Sequence, residues 1–236
     1  MSAAILTFEN VAFRYRYRAG LMRFKYHDAL TDISFSLGRG ETVGVVGRNG
    51  AGKSTLLRLM AGILAPSSGR IRMAEPLNIS LLTLHPGFSP ELSGRENAVL
   101  GALMSGRSRR TALERMEDIK RFSELGDWFE KPIKSYSTGM LARLGFAVAL
   151  EMSPDVLLVD EVLGVGDEAF RAKSTAAMKQ KMLSGQTVVF VSHQAPILRE
   201  LCSSLVWVEE GVTRMVGPTD EVLPRYQEAL TQPGAR

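Results

Sequence analysis

An α/β fold is what this chain predicts, with a phosphate-binding loop beyond the carboxyl ends of its strands. Three observations carry that expectation. The strand-like run Thr42-Val43-Gly44-Val45-Val46 flows into Gly47-Arg48-Asn49-Gly50-Ala51-Gly52-Lys53-Ser54-Thr55, the pattern G-x-x-x-x-G-K-S. Residues 156–159 and 187–192 are short continuous apolar runs, the character of central parallel strands covered on both faces. Residues 88–151 lack strand signals and carry apolar residues at helical spacing, among them Leu100, Leu103 and Met104, then Leu113, Met116 and Ile119.

The elements follow in order. Residues 6–15 and 29–37 alternate and read as two strands. Gly38-Arg39-Gly40 turns the chain into the strand before the phosphate loop. A helix after Lys53 reaches about Ala61 and stops at Gly62. Residues 66–69 read as a loop, 70–73 as a short strand and 78–84 as a buried strand. Beyond Pro154 the β character returns, with a helix over residues 168–183 suited to a right-handed crossover. Residues 205–216 read as strand, turn and strand, and a last helix lies near 221–230. No internal repeat and no low-complexity linker is present.

Composition narrows the class. The 236 residues are enough for a substantial core, with ordinary globular composition. No apolar stretch approaches the ~20 residues that span a bilayer. The start, MSAAILTFEN, has neither a basic region nor a long apolar region, so no secretory signal is read there. A lone cysteine, Cys202, excludes an intramolecular disulfide framework and is expected in the core beside Leu201 and Leu205. Net charge is +4, unevenly spread. Arg14, Arg16, Arg18, Arg23 and Lys25 crowd a segment that also holds Tyr15, Tyr17, Phe24 and Tyr26. Basic residues interleaved with aromatics suit a nucleic-acid or headgroup surface, or else a hairpin whose arginines face water.

The chemistry collects beyond strand ends, where ligands bind in open α/β sheets. Glycines at 47, 50 and 52 let backbone amides point at a phosphate chain, and the following helix offers its positive end to the same anion. Lys53 is placed for the β- and γ-phosphates, and the Ser54 hydroxyl for Mg²⁺. Asp160, after the run VLLV, is the acidic partner of that ion. Glu161 follows it, placed to orient or deprotonate an attacking water. His193, after VVFVS, is placed for the γ-phosphate or the same water. A further anion site is expected at Tyr136-Ser137-Thr138-Gly139-Met140, where Ser137 caps a helical pattern. A second phosphate site in one chain invites the reading that it serves the nucleotide of another subunit.

With these residues in this order, the chain resembles the nucleotide-binding subunit of an ABC transporter. The resemblance covers nearly the whole chain: Walker A at residues 47–55, signature at 137–140, Walker B at 156–161, D-loop at 164–167 and switch histidine at His193. It implies a P-loop NTPase (RecA-like) core with an antiparallel β subdomain over residues 1–87 and 152–236, and a helical subdomain insert over 88–151. It implies ATP and Mg²⁺ as cofactors, with Gly47, Asn49, Gly50, Gly52, Lys53, Ser54 and Thr55 at the phosphates. Ser137, Gly139 and Asp167 join the nucleotide site by the same resemblance. Tyr15 matches the aromatic that stacks on adenine, with Tyr17 and Tyr26 as rivals. Two subunits sandwich two ATP molecules head to tail in such proteins.

Departures sharpen the resemblance. YSTGM stands where LSGGQ is usual, DEVLGVGD runs through the D-loop, and GFSPELSGREN occupies residues 87–97. Together they resemble the ATPases of capsule, O-antigen and teichoic acid exporters. The usual Q-loop glutamine is missing; its place falls near Leu84, with Thr83 and His85 adjacent. The expectation is therefore a homodimeric ATPase, peripheral on the cytoplasmic side of the inner membrane, pressing on a transmembrane permease to export a lipid-linked polysaccharide. The basic segment from Arg14 to Lys25 is expected to face lipid headgroups or the substrate's pyrophosphate, and no nucleic acid is expected. The sequence runs about forty residues past His193, so no C-terminal carbohydrate-binding domain is expected. Other cargo (lipid, drug, peptide) and a soluble non-transport ABC ATPase are the alternative readings. A single-domain P-loop kinase is a weaker rival, because it would leave residues 137–140 without a purpose.

Overall fold

Two long strands open the fold: β1 (Ala4–Arg18) and β2 (Phe24–Gly38), antiparallel to each other. The structure is a computed structural model that describes residues 3–19, 23–82, 87–160 and 164–231. Leu6, Phe8 and Val11 on β1, and Leu30, Ile33, Phe35 and Leu37 on β2, are buried. Phe8 and Phe35 are register partners, and their rings stack at 4.9 Å. Each such side chain contributes about 1.5–3 kcal/mol by leaving water.

Both strands are longer than their expected spans of 6–15 and 29–37. The basic segment forms the strands' own paired ends: Arg14 opposes Asp28, Arg16 opposes Tyr26 and Arg18 opposes Phe24. Alternating Arg and Tyr has the two-residue period of a strand, and tyrosine favours the pleated surface. On the other edge of β1, β4 (Ser68–Met73) pairs antiparallel, so Ser68 and Gly69 belong to a strand and not to the expected loop.

The chain divides into two compact units. The first takes residues 1–77, 158–161 and 185–236. Its centre is β3 (Thr42–Val46), every residue of which is buried. Parallel to β3 run β7 (Thr187–Val191) on one side and β8 (Ser204–Glu209) on the other. An antiparallel partner to β8 follows in β9 (Val212–Pro218), after a turn in which Glu210 and Gly211 take φ of 50° and 76°. With β6 (Val156–Asp160), whose last three residues lie in this unit, the strand order is β4-β1-β2-β9-β8-β3-β7-β6. Among the described residues the unit also holds three helices: α1 (Lys53–Met60), α7 (Ala195–Leu201) and α8 (Thr219–Thr231).

The second unit takes residues 78–157 and 162–184. It holds a three-residue strand, β5 (Ile79–Leu81), only half-buried and shorter than the buried strand expected over 78–84; residues 83–86 lie outside the described residues. Helices α2 (Gly94–Met104), α3 (Arg109–Glu114), α4 (Met116–Ser123), α5 (Thr138–Glu151) and α6 (Glu168–Leu183) make up most of the rest. The face of α2 turned inward is its small one: Gly94, Ala98, Gly101 and Ala102 are buried with Asn97. Leu103, Met104 and Leu113, part of the apolar spacing that predicts helix, are exposed. Close packing against α5 selects small residues on α2, so the large ones face outward.

Candidate nucleotide-binding site

At the end of β3 the chain turns through Gly47–Gly52 into α1. A Cβ on Gly47 would sit 2.1 Å from the Val208 carbonyl oxygen, so the loop presses directly on the backbone of β8. Gly52 caps α1 at φ 102°, where a Cβ would meet the Ala29 carbonyl at 2.6 Å. Asn49 and Gly50 form an exposed rim. No side chain caps α1, which leaves its first-turn amides for an anion.

The polar side chains that open α1 are each held in place. Lys53 is buried, and its Nζ donates to the Gly47 carbonyl at 2.8 Å and the Arg48 carbonyl at 3.0 Å. A phosphate offers that ammonium a charge-assisted bond, stronger than the neutral carbonyls give. The Ser54 hydroxyl donates to Asp160 Oδ2 at 2.9 Å, tying the first turn of α1 to the end of β6. Two hard oxygen ligands side by side fit Mg²⁺, which takes one or two protein ligands and completes its shell with water and phosphate. Among the described residues no cluster of three or more His, Cys, Asp or Glu side chains is built for a metal, so an all-protein cage is not on offer.

Register separates the three tyrosines. The Tyr15 hydroxyl lies 3.2 Å from Thr55 Oγ1, on the face of the β1–β2 arm that meets α1. Tyr17 shares that face two residues farther out and is half exposed. Tyr26 opposes Arg16, which puts it on the other face, where the Arg14 guanidinium lies 6.0 Å from its ring centroid. His193 follows β7 and a buried Ser192, and is exposed. Glu161 lies outside the described residues.

In the second unit, Ser137 caps α5 and accepts from the Met140 amide at 3.2 Å. A Cβ on Gly139 would approach only Ser137 Oγ, at 3.8 Å, so nothing within the unit's own packing demands glycine there. Asp167 caps α6, accepting from the Phe170 amide at 3.0 Å, and forms an ion pair with Arg143 of α5. The Phe170 amide and then Arg143 hold its carboxyl below the usual range. Arg143 carries no sequence signal; its link to Asp167 exists only once α5 and α6 pack.

A glycine-limited phosphate loop between a buried parallel strand and a helix, with Lys53 bonded to its carbonyls and Ser54 tied to Asp160, defines a P-loop nucleotide-binding protein. Residues 30–164 match the family described as ABC transporter. The chain is 43% identical over 210 residues to the O-antigen export system ATP-binding protein RfbB of Klebsiella pneumoniae, spanning 89% of this chain and 85% of that protein. It is 40% identical to the teichoic acids export ATP-binding protein TagH of Lactococcus lactis, over 85% of this chain and 42% of that protein. Its fold is similar to a solved ATP-binding subunit of an ABC transporter, with a TM-score of 0.76 at 20% identity over 97% of this chain and all of that one. The dimeric cassette MJ0796, solved in a post-hydrolysis state with ADP and Pi, gives 0.68 at 21% identity over 91% of this chain and 98% of that one. The chain belongs to the ABC transporter family, as an ATPase cassette.

Proposed function

We propose that this chain is the ATP-binding and ATP-hydrolysing subunit of an exporter that moves a lipid-linked polysaccharide across the cytoplasmic membrane. One observation carries the ATPase part: Lys53, Ser54 and Asp160 converge at the phosphate loop, with Tyr15 beside it. The cargo rests on the O-antigen and teichoic acid relatives.

On binding, Lys53 exchanges the carbonyls of Gly47 and Arg48 for the β- and γ-phosphates of ATP. Ser54 and Asp160 are the residues that would hold Mg²⁺, which would supply positive charge against the phosphate oxygens. Tyr15 stacks on adenine. Glu161, next to Asp160, takes the proton of the attacking water, and His193 orients that water or the γ-phosphate. Ser137 and Gly139, exposed or half-exposed, serve the triphosphate of a second copy. Asp167 accompanies them to that interface.

A permease partner fits the second unit. Leu103, Met104 and Leu113 are exposed, and an open groove of about 350 Å³ is lined by Gly87, Phe88, Ile133, Tyr136 and Leu141. No described helix is long and apolar enough to cross a membrane, which suits a peripheral subunit on the cytoplasmic side. The outer face of the β1–β2 arm carries Arg14, Arg16 and Arg18 with Phe24 and Tyr26, and the Arg16 guanidinium lies 4.7 Å from the Phe24 ring centroid. We assign that face to anionic headgroups or the substrate's pyrophosphate.

Substituting Glu161→Gln tests the chemistry. The expected product is a stalled, ATP-loaded dimer with little turnover; hydrolysis at the wild-type rate would remove Glu161 as the base. Lys53→Ala is expected to abolish tight nucleotide binding. Cargo is tested by co-purification from membranes: a multi-span permease and loss of surface polysaccharide on deletion support the reading, and an exclusively soluble complex contradicts it.

A further inference from the structure

The phosphate loop is gripped from behind by the last helix. Its first two residues are Gly47 and Arg48, whose carbonyls hold Lys53. Arg48 Nη2 donates to the Ala229 carbonyl at 3.0 Å, in the final turn of α8, where a cation meets the negative end of the helix. The same guanidinium lies 3.8 Å from Glu209, and Glu209 accepts from the Trp207 indole at 3.2 Å. The Trp207 ring meets Tyr226 edge to face, with centroids 5.7 Å apart. Tyr226 is buried, and its hydroxyl faces the Gly47 amide. Thus both residues that hold the lysine are themselves held by α8, more than 170 positions away in sequence.

We propose that Tyr226 and Arg48 are positioning residues for triphosphate binding, with α8 as the anchor that sets the phosphate loop. This deepens the nucleotide-site reading and rests on it. A loop whose amides must face one anion binds more tightly when its path is fixed beforehand. Gly47 cannot fix that path by itself: it has no side chain, and its closest neighbour is the Val208 carbonyl of β8. Tyr226 and the salt-bridged Arg48 supply the missing restraint from the side away from the nucleotide. A partner that grips or releases α8 would therefore tune ATP loading without touching the nucleotide.

The test uses the full chain and a non-hydrolysable ATP analogue with Mg²⁺. Tyr226→Phe keeps the ring on Trp207 and removes only the hydroxyl; Arg48→Lys keeps the charge and loses the planar fork. Each is expected to weaken the analogue's Kd about two- to tenfold, the size of one hydrogen bond. In the ATPase assay KM rises by a similar factor while kcat at saturating ATP holds. Arg225→Ala, exposed on the same helix, is expected to leave Kd unchanged. Wild-type Kd in both loop variants overturns the inference, whatever their melting temperatures. Equal weakening by Arg225→Ala also overturns it, since the effect is then general loss of the helix. Failure of the wild-type chain itself to bind the analogue overturns the nucleotide-site reading, and this inference with it.

Discussion

Cys202 shows how burial alone sets a side chain's chemistry. It is 6% exposed, and desolvation pushes its thiol up to about 12. A raised thiol pKa means the folded state holds the proton more tightly than the unfolded one. The resulting stabilisation is complete below the unfolded value of about 8.5 and is lost as pH rises from there towards about 12. At pH 8 the folded protein should resist iodoacetamide while the guanidinium-unfolded chain alkylates readily; rapid native labelling would contradict the burial. Gly52 makes a second case, because its φ of 102° and the nearby Ala29 carbonyl leave no room for a methyl group. Gly52→Ala should cost about 1–3 kcal/mol in urea unfolding and abolish nucleotide binding; an unchanged midpoint would show that the loop relaxes around it. At this scale the phosphate site is legible in sequence wherever spacing is local, as for Lys53 and Ser54. The tyrosine beside the phosphate loop is not, since Tyr15 and Tyr26 part only when strand register assigns each a face.

Among the elements, the stretch GFSPELSGREN forms the approach to α2 and its first turn. Ser93 and Glu96 make a capping box, the Glu96 carboxylate accepting from the Ser93 amide at 2.8 Å. Asn97 is fully buried and pins the turn before it: its amide nitrogen donates to the Ser89, Leu92 and Ser93 carbonyls, and its Oδ1 accepts from the Ser89 amide at 2.7 Å. One residue into the helix, a Cβ on Gly94 would lie 2.4 Å from the Tyr136 hydroxyl, so this turn and the residue before signature Ser137 are packed together. Asn97→Ala strands several backbone groups and should cost about 1–3 kcal/mol, read as faster hydrogen exchange over residues 87–93. Unchanged exchange there would mean that the capping box alone suffices. The sequence marks this stretch as unusual without showing its structural work, because Asn97's partners are backbone groups set only by the fold. Likewise α7 is hidden in the sequence: seven residues starting Ala-Pro are too few to display a helical period, although Pro at the first turn supports a helix start.

Across the whole molecule, charge and symmetry point the same way. Residues 14–28 hold five basic side chains against Asp28 alone, which equals the net +4 of the entire chain. The arm is therefore a strongly biased segment, and replacing Arg16 and Arg18 of its outer face by glutamine should depress export more than isolated ATPase activity. Equal loss of both would make it a plain structural hairpin. The deeper consequence concerns completeness. Lys53 and Ser54 belong to one compact unit and Ser137 to the other, where Ser137 is exposed. If two copies close with two-fold symmetry, each site is built from Lys53 of one and Ser137 of the other. Lys53→Ala and Ser137→Ala should then be inactive separately. Mixed in equal amounts, they should regain activity, because one site of every mixed dimer carries an intact lysine opposite an intact serine. With random pairing, half the dimers are mixed and each has one whole site, so about a quarter of the wild-type sites should return. Silence in the mixture, with both variants folded and dimerising, would place Ser137 at its own chain's nucleotide and remove the reason for the pair.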